Sequence, residues 1–309
     1  MSRRIRTLYK SIRWIFRQVP YLVKANEINC HLEVPAKENR VNLFDYRPTR
    51  YGYHLFQGQP YNLGDSLGRV IVEALLGQKG ITLDQWIPEK KHLFTVGSNV
   101  FGGESIGNYQ DATIWGSGAL KEPSRREAFA QKLSRRRLDI RAVRGPLTRD
   151  VLLRFGHKCP EVYGDPAILM PLFYQPKSEK RYKYIIIPQF VRECRFRETH
   201  PKERMVSMNT NDYKSVIDEI VASEVVYTSS LHGIILAESY GVPAVFFRDL
   251  RRSIDFKYLD YYYSTNRTNI SIAESFEEAL RLEPLPLPDL SGLRQGLLES
   301  FPYDLWENK

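Results

Sequence analysis

Cysteine is scarce in this chain of 309 residues: Cys30, Cys159 and Cys194 are the only three, and they share no metal-like spacing. An odd, scattered set suits reduced thiols in a cytoplasm and argues against a disulfide framework or a zinc site. Long apolar runs are missing too, so no transmembrane helix is expected. The basic start is followed by neither an uninterrupted apolar stretch nor a small-residue cleavage site, so no signal peptide is expected. No repeat of fixed period occurs, and low complexity is confined to Pro284-Leu-Pro-Leu-Pro-Asp289.

Basic charge is present but badly spread for a polyanion partner. The net charge is +9, yet Arg3, Arg4, Arg6, Lys10, Arg13, Arg17 and Lys24 stand in the first 24 residues with no acid among them. Without those seven the body carries only +2, so nucleic acid is not an expected partner. Arg135-Arg136-Arg137 reads as the solvated end of a helix. In the N-terminal segment Ile5, Leu8, Ile12, Ile15, Phe16 and Val19 recur at helical steps, with Trp14 at the flank and Pro20 as the stop. A basic amphipathic helix of this kind suits an anionic membrane surface, and equally a partner protein or its own domain.

What the chain has in plenty is alternation. Short apolar strands are expected at Leu93 to Val96, Thr113 to Trp115, Asp139 to Val143, Tyr184 to Ile187, Val225 to Tyr227 and Ala244 to Phe247. Between them lie helical stretches: from Asn62-Leu-Gly-Asp65 to about Leu76, from Ser124 to about Arg136, from Pro146 to Gly156, and from Leu231 to Tyr240. The polar stretch Gln175 to Arg181 separates two halves. The expected fold is therefore α/β, with two doubly wound, mostly parallel Rossmann-like domains at 40–174 and 182–309 and the basic helix at 1–24. A cleft between two such domains is a natural ligand site.

Several residues stand where such folds bind ligands. His232 sits at a strand-to-helix turn, beside the outward-pointing N–H groups of a helix N-terminus, with Ser229 and Ser230 as candidate caps. Arg144 directly precedes a helix N-terminus, where the dipole disfavours a cation, so it needs an anionic partner. That partner is Asp139, Asp150 or Asp165, or else a bound phosphate or carboxylate. Asp139 and Arg141 share one face of their strand. Asn62 and Asp65 can cap, and Gly64 allows close approach of the backbone. Gly116-Ser117-Gly118 reads as a strand-end turn.

Taken in order, these segments resemble the polysaccharide pyruvyltransferase family. The matching pieces are Asn62-Leu-Gly-Asp65, Gly116-Ser-Gly118, Asp139-Ile-Arg-Ala-Val-Arg-Gly-Pro-Leu-Thr148, Tyr163-Gly-Asp-Pro166, Ser230-Leu-His-Gly233 and Phe256-Lys-Tyr-Leu-Asp-Tyr-Tyr262. The resemblance implies a two-domain fold like that of GT-B glycosyltransferases, acceptor side first and donor side second. It implies transfer of a pyruvyl group from phosphoenolpyruvate to two hydroxyls of an exopolysaccharide or capsular sugar, giving a cyclic ketal and phosphate. Phosphoenolpyruvate is then a co-substrate, with no cofactor or metal expected. The other expected partners are a lipid-linked oligosaccharide or polysaccharide acceptor and an anionic membrane surface, with the protein expected in the cytoplasm and its basic helix suited to peripheral contact with the inner face of the plasma membrane.

By the same resemblance His232 is the catalytic acid/base. Arg144, Arg141, Lys257, Ser230 and Leu231 face the donor. Asn62, Gly64, Asp65, Gly116, Ser117 and Asp165 line the acceptor side or cleft. One departure is Ser230, where many members carry arginine, so Lys257, Arg248 or Arg251 is expected to supply that charge. The alternatives are a GT-B glycosyltransferase, with Glu238 as its candidate ribose ligand, and a non-enzymatic component of a membrane-surface assembly.

Overall fold

The computed structural model describes residues 62–83, 92–100, 111–124, 133–248 and 255–306. The basic N-terminal segment, Arg251 and most of the helix expected after Ser124 lie outside the described residues. Among them no helix is long and apolar enough to cross a membrane.

The first strand expectation resolves into β1 (His92–Phe94), β2 (Asp111–Trp115) and β3 (Arg137–Ala142), a parallel sheet in that order. A bridge from Val143 to Tyr163 continues it. Helix α1 (Leu63–Gly77) precedes the sheet and buries Leu63, Leu67, Ile71, Leu75 and Leu76, the stripe its helical period dictates. After β3 comes α2 (Pro146–Arg154), with proline at its first position and Gly156 at φ +84 ending it.

The second sheet holds β4 (Tyr182–Ile187), β5 (Ser223–Thr228) and β6 (Ala244–Phe246), again parallel. Bridges add Met205 beside β4 and Ala273 after β6. Numbered along the chain, the spatial order is 2-1-3-4-5, so the chain reverses direction across the sheet between β4 and β5. Ligands in open parallel sheets bind outside the carboxyl ends at such a reversal. The interleaved helices are α3 (Glu193–Thr199), α4 (Tyr213–Val221) and α5 (Leu231–Ser239), followed by α6 (Phe256–Ser264), α7 (Phe276–Ala279) and α8 (Ser291–Glu299).

One apolar cluster runs through both sheets, from Leu67 and Trp115 to Ile187, Ile234 and Tyr261. The C-terminal segment crosses back to the first sheet. Trp115 Nε1 donates to the Leu297 carbonyl at 2.9 Å, and Tyr303 Oη donates to the Leu75 carbonyl at 3.3 Å.

Two local expectations change. Leu133–Arg135 is a 3-10 turn, and Arg136 is buried with its guanidinium donating to the Val100 carbonyl; desolvation brings its pKa down to about 10. The run of three arginines is therefore not a wholly solvated face. Ser230 holds the N-cap position of α5, but its side chain makes no capping bond. Ser229 Oγ instead accepts from Gln189 N–H at 2.8 Å, tying together the carboxyl ends of β4 and β5.

Candidate active site at the meeting of two helix N-termini

His232 lies in the first turn of α5, directly beyond the carboxyl end of β5, and is buried. Its ring rests on Gly64 in the first turn of α1: a Cβ built at residue 64 would stand 1.8 Å from Nδ1. Two helices therefore bring their N-terminal ends to one imidazole. First-turn N–H groups lack intrahelical acceptors and carry partial positive charge, which suits an anion. Leu63 N–H is taken by the Met208 carbonyl at 2.9 Å, and Ser66 N–H donates to the Asn62 carbonyl at 3.1 Å. Gly64 and Asp65 lie between those two bonds. In α5, Ser230 N–H is held by Thr228 Oγ1 at 2.9 Å, and Ile234 N–H returns to the Ser230 carbonyl.

Asp165 approaches from the other side of the ring. It caps the 3-10 helix Pro166–Leu172, with Oδ1 accepting from Ala167 N–H at 3.0 Å. Its Oδ2 faces His232 Nε2 at 3.6 Å. Gly116, at φ +79, leaves room for Pro166 next to Asp165: a Cβ there would come within 2.4 Å of the proline ring.

Lys257, in the first turn of α6, is half-buried and carries no hydrogen bond or ion pair among the described residues. Burial and the nearby Arg144 charge push its ammonium down to about 8, against a partial pull upward from Asp65. Asp65 also accepts from Asn62 Nδ2 at 2.8 Å. Asn62, Gly64, Asp65, Asp165, His232 and Lys257 thus form one connected neighbourhood, with Ser230 and Leu231 on the same turn as the histidine.

The arginines divide otherwise. Arg144 has no exposed surface, and its Nε donates to Asp260 at 3.1 Å. Its other donors go to Ser98 Oγ at 2.9 Å and the Ala119 carbonyl at 2.5 Å. None of Asp139, Asp150 and Asp165 is its partner, and its guanidinium is enclosed by these contacts. A missing side chain makes the space: a Cβ at Gly118 would stand 2.3 Å from the Arg144 guanidinium carbon. Arg141 pairs with Asp139 at 2.8 Å, as shared strand faces required, and with Asp304 at 3.1 Å. Arg248 is taken by Asp255 and Glu274. Ser117 Oγ donates to the Gly97 carbonyl at 3.1 Å and accepts from Asn99 N–H at 3.3 Å, so it braces two strand-end loops. Glu238 is buried, with Arg267 at 2.6 and 2.7 Å and Tyr261 Oη at 2.7 Å.

Sequence reasoning gave Asp260 no role. Besides Arg144, it accepts from Thr148 N–H at 2.9 Å and Thr148 Oγ1 at 2.6 Å. It therefore caps α2 from a distance of more than a hundred residues, because Gly145 at the N-cap has no side chain to do so. The available signal was the pair Lys257 and Asp260, three residues apart and so on one face of α6. Among the described residues no three His, Cys, Asp or Glu side chains converge on a metal-sized site.

A family model described as polysaccharide pyruvyl transferase matches residues 62–249, from the Asn62 turn to just beyond β6. An uncharacterized protein of Acanthamoeba polyphaga mimivirus is 27% identical over 212 residues, covering 65% of this chain and 69% of its own.

Proposed function

The chain belongs to the polysaccharide pyruvyl transferase family, and from that premise we propose that it carries a pyruvyl group from phosphoenolpyruvate to a sugar. The acceptor is a repeat unit of an exopolysaccharide or capsule, and the product is a cyclic pyruvate ketal with release of phosphate. The observation that carries this reading is the buried His232 at two helix N-termini, with Asp165 on one side and Lys257 nearby.

Each part has a task in that reaction. Protonation of the donor's methylene carbon turns the adjoining carbon into an oxocarbenium-like electrophile. A sugar hydroxyl, which is the source of that proton, adds to it. The carbon–oxygen bond to phosphate then breaks with its electron pair on phosphate, and a second hydroxyl closes the ring, passing its proton to the departing phosphate. His232 moves the first proton, because an imidazole nitrogen can both accept a proton and give it up. Lys257 and the N-terminal N–H groups of α5 hold the donor's phosphate and carboxylate. Arg144 contributes indirectly: its guanidinium can only donate, so Ser98 Oγ must accept from it and keeps its own hydrogen for a ligand.

In this reading the two sheets are the halves of a GT-B-like enzyme, with residues 40–174 on the acceptor side and 182–309 on the donor side. The basic segment 1–24 then holds the enzyme at an anionic leaflet, close to a lipid-linked acceptor. The occupation of Glu238 by Arg267 and Tyr261 leaves no free carboxylate there for a nucleotide ribose, which disfavours a sugar nucleotide as donor. The deciding experiment is incubation with phosphoenolpyruvate and a lipid-linked oligosaccharide extract, followed by mass analysis. A pyruvylated oligosaccharide and stoichiometric phosphate support the reading. Transfer from a nucleotide sugar instead would replace it.

A further inference from the structure

The two oxygens of Asp165 have different fates. Oδ1 is used locally, as the cap that accepts Ala167 N–H. Oδ2 is sealed from solvent and has no hydrogen bond, and the same holds for His232 Nε2, which faces it at 3.6 Å. Leaving a buried polar atom without a partner is unfavourable, and two such atoms facing each other at 3.6 Å need only a small approach to satisfy one another. Catalytic hydrogen bonds are commonly this long before substrate arrives.

Nδ1 is in a different position. It is not among the sealed atoms, although no hydrogen bond to it occurs among the described residues. It lies over Gly64, in space that any larger residue would fill. That is also the side of the ring on which the first turn of α1 begins.

We propose that His232 exchanges protons with substrate through Nδ1, and that Asp165 is the positioning residue that keeps the other ring proton on Nε2. The inference rests on the acid/base role given to His232 above. An ionised carboxylate can only accept, so a ring nitrogen facing Oδ2 is the protonated one, and Nδ1 carries the lone pair. In the reaction a sugar O–H bond breaks, its electron pair stays on oxygen, and the proton joins Nδ1. The imidazolium so formed is balanced by the Asp165 carboxylate behind it. The Nδ1–H proton then goes to the donor's methylene carbon, and the ring returns to its Nε2–H form.

The experiment reads the tautomer directly. Protein labelled with carbon-13 and nitrogen-15 in histidine shows whether a neutral ring is protonated at Nε2 or Nδ1, and the spectrum of His232→Gln identifies the resonance. Wild-type His232 is expected in the Nε2–H form. Asp165→Asn retains a carbonyl oxygen for Ala167 N–H but turns an NH2 toward Nε2, which must then accept. Its ring is expected to switch to Nδ1–H, with turnover down about 10²–10⁴-fold and donor binding and Tm near wild type. A wild-type ring protonated at Nδ1, or a variant with unchanged tautomer and turnover, overturns the proposal. Should the variant not fold, the wild-type tautomer still decides. An Nε2–H ring in a protein that transfers no pyruvyl group would support the dyad and overturn the proposed reaction alone.

Discussion

Gly64 and His232 share space that only one of them can fill: a Cβ on residue 64 would lie 1.8 Å from Nδ1 and 2.4 Å from Cγ. Glycine inside a helix costs roughly 0.5–1 kcal/mol relative to alanine, so propensity alone argues against it here. Gly64→Ala should forgo that gain and incur overpacking of about 1–3 kcal/mol, lowering Tm and displacing the ring from its working position. Gly77, at the far end of the same helix, has nothing within 4 Å of a built Cβ. Gly77→Ala should therefore stabilise by roughly 0.4–1 kcal/mol and leave turnover alone. A Gly64→Ala protein with raised Tm and normal turnover would show that the contact is unimportant.

Arg144 and Asp260 make the opposite prediction, one of stability before chemistry. Both side chains are fully buried, and their ion pair also fixes Ser98, Ala119 and the start of α2. Removing one partner of a buried pair leaves an uncompensated charge and typically costs about 3–5 kcal/mol. Arg144→Ala should depress Tm sharply and impair use of donor and acceptor together. A rise in the Michaelis constant for phosphoenolpyruvate alone, at unchanged Tm, would restore Arg144 as a direct donor ligand.

This pair also marks where sequence reading stops. The strands, the start of α2 at Pro146 and the turn carrying His232 were legible, because apolar runs, proline and glycine act on their immediate neighbours. The need of Arg144 for an anion was legible for the same reason, since it stands at a helix N-terminus. Its partner was not, because Asp260 is 116 residues away and only the packing of α6 on α2 brings it there. Ser230 shows the converse limit. Its type and position suit a cap, yet the side chain makes no capping bond, and the neighbouring Ser229 accepts from Gln189 instead. The role of Gly64 was half legible: close approach was expected, but the approaching group is the protein's own imidazole.

For His232 the expected change is in rate. His232→Gln keeps approximate size and one hydrogen-bonding group but cannot shuttle a proton. Turnover with phosphoenolpyruvate should fall about 10²–10⁴-fold, with Tm and donor binding close to wild type. Near-normal turnover in the folded variant would remove His232 from the chemistry, and unfolding would point to a packing role.

Lys257 ties donor use to pH. Its ammonium is pushed down to about 8, chiefly by burial and then by the Arg144 charge, so in the free enzyme it is charged below that pH and neutral above it. An anionic donor needs the charged form. The kcat/KM for phosphoenolpyruvate should therefore fall as pH rises through about 8, since this ratio follows ionisations of the free enzyme and free substrate. The acceptor's Michaelis constant should move little over the same range. Lys257→Arg supplies a cation that stays protonated throughout, so the alkaline fall should vanish even if the longer, planar head lowers the plateau. Lys257→Met should lose donor affinity at every pH. An alkaline limb that survives unchanged in Lys257→Arg would assign the titration to another group and take Lys257 out of the donor site.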